Sequence, residues 1–124
     1  MTILQTDRTQ LRSVSNPNPK IDYISSVNGA IPNSELLVTC SYVPDKLVLL
    51  TNAFQEYLEY LELNELVALE PAALQVLDDI NNEVVPRWVE IKISTCLGAK
   101  GSSSVIIIDK QPKWDNPSLL ARLN

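Results

Sequence analysis

Glu35-Leu36-Leu37-Val38-Thr39-Cys40-Ser41-Tyr42-Val43-Pro44-Asp45-Lys46 is the segment from which the architecture can be built. Leu36, Val38, Cys40 and Tyr42 alternate with Leu37, Thr39 and Ser41, the period of a strand with one buried face. Pro44 ends it, because proline has no N–H to give to a ladder. Beyond it, Leu50, Phe54, Tyr57, Leu58 and Leu61 recur at helical spacing, which predicts an amphipathic helix from about Asn52, with Asn52 and Gln55 as a capping box. A second helix is expected from Pro71, carrying Leu74, Leu77, Ile80 and Val84 inward and Asp78, Asp79 and Glu83 outward, until Pro86. Trp88 to Thr95 alternates again, Leu97-Gly98-Ala99-Lys100-Gly101 turns, and Ser103 to Lys110 reads as a further strand. On the other side of the quoted segment, Ile21 to Val27 reads as a strand, and Asn28-Gly29 and Pro32-Asn33 as loops. The order is ββααββ, an α+β fold with a four-stranded antiparallel sheet and both helices on one face. Asn16-Pro17-Asn18-Pro19 forbids regular helix, so residues 1–16 are expected to be a flexible arm, 17–114 the domain and 115–124 a tail.

At 124 residues the chain is one domain, and 45% apolar content with 20% charge is the composition of a folding chain. It contains no histidine, which excludes histidine general bases, Ser-His-Asp systems and the common zinc sites. The net charge of −5 is concentrated in residues 56–90, and no basic stripe interrupts it, so direct binding of nucleic acid is not expected. The apolar runs, such as Leu47–Leu50 and Val105–Ile108, are far shorter than the roughly 20 residues of a membrane-spanning helix. Cys40 and Cys96 lie inside strand-like runs, and no apolar leader stands in residues 1–20, so a reducing cytoplasm is expected.

Taken in order, Asn16-Pro17-Asn18-Pro19, Asp22-Tyr23, Tyr42-Val43-Pro44-Asp45-Lys46, Glu70, Leu77-Asp78-Asp79, Pro86-Arg87 and Pro112-Lys113-Trp114 resemble the NADPH-dependent 7-cyano-7-deazaguanine reductases of queuosine biosynthesis. The resemblance implies the tunnelling fold, whose ββααββ order agrees with the reading above. It also implies subunits joined edge to edge into a barrel of stacked rings, with binding clefts between neighbours. The family's cysteine, which adds to the nitrile carbon, corresponds to Ser26 here, and its proton-handling aspartate to Asn33. A serine needs a neighbouring base to act as a nucleophile, and an amide does not exchange protons near neutral pH. The family segment with one glutamate and two lysines corresponds to Leu50-Thr51-Asn52-Ala53-Phe54-Gln55, so no cofactor is expected where the family takes NADPH. The family's His-Glu pair reads Leu69-Glu70.

These residues set the expectations for function. Glu70 is the candidate anchor for a purine- or pterin-like ligand, since a carboxylate accepts paired hydrogen bonds from a guanine-like edge; the alternative is an acid that merely suits a helix start. Ser26 and Asn33 are degenerate catalytic positions, and Ser25 and Ser34 stand beside them. Glu56, Glu59, Glu62 and Glu65 share a spacing that could gather a cation but suits a solvated helix face better, so no metal is assigned. Cys40, Cys96, Trp88 and Trp114 read as core or rim, and Lys100 as a turn tip. The leading expectation is a homo-oligomer paired through sheet edges that binds a ligand or serves assembly, without nitrile reductase activity. Two readings compete with it: an enzyme of deazaguanine chemistry with a rearranged site, and a structural interaction subunit.

Overall fold

Strand periodicity becomes a sheet in the computed structural model, which describes residues 4–5, 7–32, 34–63, 69–96 and 101–123. Four strands, β3 (Ser25–Ala30), β4 (Leu36–Val43), β7 (Trp88–Cys96) and β8 (Ser102–Lys110), lie side by side in that order, each antiparallel to the next. The short strands β1 (Leu4–Gln5), β2 (Ser13–Ser15), β5 (Leu47–Leu49) and β6 (Glu62–Leu63) form two further pairs, β1 with β6 and β2 with β5. The order is therefore richer than the expected ββααββ. Helix α1 (Ala53–Glu59) follows β5, α2 (Leu69–Glu83) precedes β7, and α3 (Pro117–Leu120) lies in the tail.

In register, Val27, Cys40, Ile91 and Ile107 form one cross-strand row, and Val38, Ile93 and Val105 another. That face meets Phe54, Tyr57 and Leu58 of α1 and Ala72, Ala73, Val76 and Ile80 of α2 in a single core. Small residues at 72 and 73 let α2 approach the sheet closely, and Pro71 is tolerated because a first-turn N–H has no helical partner. The opposite face carries Ser26, Leu37, Thr39, Glu90, Lys92, Ile106 and Ile108, and no helix of the described residues lies on it.

Several local expectations change. The first strand begins at Ser25 rather than Ile21 and runs through Asn28-Gly29. Gly29 belongs in a strand here because a Cβ would collide with the side chains of Gln55 and Leu58, where α1 crosses β3. Asn52 makes no side-chain cap; Gln55 instead accepts from Ala30 N–H and donates to Ala30 O, both at 3.1 Å. The helix stops at Glu59, so Glu62 falls in β6 and the glutamate row breaks; Glu65 lies outside the described residues. Asp79, expected outside, is buried, and Leu74, expected inside, is 57% exposed.

Residues 7–16 differ most from the expected flexible arm. Leu11 is 3% exposed within the main core, Val14 pairs with Val48, Arg8 bridges to Glu83 at 3.2 Å, and Arg12 pairs with Glu56. A leucine aligned with no periodic run, a three-residue strand pair and two ion pairs together anchor the segment.

Candidate functional site

Asn16, Asp22, Asp45, Arg87 and Trp114, from five of the segments that carry the resemblance, meet at one pole of the sheet, whereas Glu70 and Leu77–Asp79 lie along α2. Pro86 ends α2 and aims Arg87 across the mouth of the strands. Its Nη1 donates to Asp22 Oδ1 at 3.1 Å, and its Nη2 to Asp45 Oδ1 at 3.1 Å and to Pro19 O at 2.6 Å. Asp22 Oδ2 also accepts from Trp114 Nε1 at 3.0 Å and Asn116 Nδ2 at 3.1 Å, and Asp45 Oδ2 from Gln111 Nε2 at 3.2 Å. Asn16 closes the group by donating to Asp45 O at 2.8 Å and accepting from the Tyr23 hydroxyl at 2.7 Å. Partial burial pushes the Asp22 carboxyl up, but the bonds from Asn116 and Trp114 and the Arg87 charge outweigh it and hold it below the usual range. All four carboxylate oxygens and both Arg87 Nη atoms of this knot are answered within the chain, so its chemistry is fastening. A shallow depression lined by Gln111, Pro112, Lys113 and Trp114 lies beside it.

Ser26 sits near the same pole, on β3 and on the face away from the helices. Its Oγ lies 2.8 Å from Ser41 Oγ, the only side-chain bond it makes among the described residues. A second hydroxyl is no base at neutral pH, so nothing here activates Ser26. Asn33 and Lys100 lie outside the described residues, as do the side chains of Cys96 and Glu62.

Glu70 is exposed in the first turn of α2. Glu70, Leu74, Leu77 and Asn81 recur at four- and three-residue steps and so share one helical stripe. Asn81 Nδ2 donates to Asp109 Oδ2 of β8 at 3.0 Å, which places that stripe on the β8 side of the helix. The other flank faces α1: Tyr57 OH donates to buried Asp79 Oδ2 at 2.5 Å, and Gln75 Nε2 to Asp79 Oδ1 at 3.1 Å. Burial, reinforced by the bond to Asp79, pushes the Tyr57 hydroxyl far up. Periodicity alone does not reveal this buried pair, because an acid on a helix face carries the same pattern whether it is solvated or bonded within the core.

Ser26 and Glu70 thus stand at opposite edges of the sheet and in opposite layers. The structure does not bring them together within one chain. Cys40 is fully buried between Val27 and Ile91, and burial pushes its thiol far up, which makes it an inert core residue. Among the described residues no group of three potential ligands could hold a metal ion, and no helix is long and apolar enough to cross a membrane.

In Leu50–Gln55, Ala53 and Phe54 are core, Gln55 is engaged by Ala30, and the segment contains no lysine or arginine. No protein-family model matches the chain, and no curated protein matches it.

Proposed function

We propose that the chain is a tunnelling-fold relative of the 7-cyano-7-deazaguanine reductases that lacks nitrile reduction and works as a homo-oligomeric protein binding a purine- or pterin-like ligand. The observation that carries this reading is that the Ser26 hydroxyl meets only the Ser41 hydroxyl among the described residues, with no base to activate it. The Glu70 anchor keeps its carboxylate, is exposed, and stands over a free sheet edge, where a second copy would wall a cleft. The four long strands in chain order, with both helices on one face, support the same frame. No step is routed through NADPH.

The test has two arms. NADPH oxidation in the presence of 7-cyano-7-deazaguanine, followed at the nicotinamide absorbance, is expected to stay flat; turnover would restore the enzyme reading. In a thermal-shift series with guanine, deazaguanine and pterin, one ligand is expected to stabilise the protein by about 2.7 kcal/mol at 100 times its dissociation constant. Glu70→Gln is expected to abolish that shift. If none of the ligands shifts the wild-type protein, binding falls and an interaction subunit remains.

A further inference from the structure

We infer that β8 is the pairing edge and that its partner is the β8 of a second copy, the two strands lying antiparallel about a two-fold axis through Ile106. This rests on the reading that copies join through sheet edges, and it replaces the head-to-tail ring implied by the resemblance.

The two free edges are not equivalent. Ile31 N–H donates to Leu36 O, so by the alternation of an antiparallel pair the backbone groups of Ser26, Asn28 and Ala30 face away from β4. Gln55 already answers both groups of Ala30, which shortens the β3 edge to two positions. Carried across the sheet, the same alternation turns Ser102, Ser104, Ile106, Ile108 and Lys110 outward from β8; among the described residues a side chain answers only the Lys110 N–H, through Asp109 Oδ1 at 2.9 Å, which leaves the stretch from Ser102 to Ile108 open.

The core is unfinished on the same side. Leu77, Val105 and Ile107 are only partly buried against it, and Leu74, on the stripe above, is exposed. Two copies of β8 centred on Ile106 repair this by their own pattern. Val105 of one falls opposite Ile107 of the other on the helix face, twice over, and the outward-facing pairs Ile106 with Ile106 and Ser104 with Ile108 are those that exchange N–H and C=O bonds. The apolar centre of the strand meets itself, the serines and Lys110 lie at the ends, and the Leu74–Leu77 stripes of the two α2 helices flank the seam. An isologous contact of this kind closes at two copies.

Light scattering on the full chain is expected to give twice the 13.8 kDa of one chain. Ile106→Pro removes only an outward N–H and spares the β7 ladder, so it is expected to yield a monomer with unchanged far-ultraviolet circular dichroism. Asn28→Pro, the matching change on β3, is expected to leave the dimer intact. Ile106→Cys is expected to cross-link to its own copy under mild oxidation, because bonded opposite residues lie about 5.5 Å apart, within disulfide reach. A wild-type monomer overturns both this pairing and the assembly reading. An oligomer that survives Ile106→Pro, dissociates with Asn28→Pro, or fails to cross-link at position 106 overturns the β8 pairing and leaves edge assembly standing.

Discussion

The pole closed by Arg87 and the edge formed by β8 are built from opposite materials. At the pole, four segments distant in sequence meet through side chains in which both carboxylates and both Arg87 Nη atoms are bonded. Arg87, its side chain 18% exposed, answers two carboxylates and a carbonyl at once. Along β8 the bonds are regular but end at the strand, and the apolar layer beneath stops half covered. A finished region carries the fold's stability, whereas an unfinished one is where a partner adds energy.

The comparison breaks most sharply at Arg87. Arg87→Ala leaves Asp22 and Asp45 facing each other without a cation, and equilibrium urea unfolding is expected to show a loss of about 2–3 kcal/mol, below the range for a fully buried pair because all three groups keep some solvent. The pH dependence sharpens the same point. Asp22 is held below its usual range, so its contribution is complete above the unfolded value of about 4 and is lost as pH falls through the lower folded value. Asp22→Asn is therefore expected to unfold at lower urea than wild type at pH 6 and to converge with it on acidification, with Trp114 fluorescence as the local reporter.

A smaller effect lies where α2 hands over to Arg87. Val85 is 53% exposed with φ of 50°, a left-handed conformation that a β-branched residue adopts at a cost. Val85→Gly is expected to raise stability by about 0.5–1 kcal/mol, the relief of strain exceeding the entropy of glycine. A loss in the same urea titration would show that the valine side chain matters more than its backbone. The least change is expected on the unfinished side: Ile108→Thr, on the open face, should alter the unfolding free energy of dilute protein by less than about 0.5 kcal/mol. A large loss there would mean that β8 is already complete in the single chain.

The long strands were legible because period two survives in β4, β7 and β8, and α2 because its apolar spacing runs over several turns. What escaped notice had no period. The frame of β3 depends on Gly29 yielding to α1, and the start of α1 depends on Gln55 reaching a strand rather than its own helix. Leu11 enters the core alone. Glu70 could be named from sequence, but its position over β8 needed Asn81 to show which way the stripe faces. The separation of Ser26 and Glu70 was invisible, since it depends on which edge and which layer each residue occupies.

The bond between Gln55 and Ala30 has a consequence for growth. A molecule with two equally receptive flanks offers a fresh one after every addition and can lengthen without limit, which is how filaments begin. A glutamine amide on Ala30 leaves the β3 flank only two open positions, so the two flanks are unequally receptive and repeated head-to-tail addition is disfavoured.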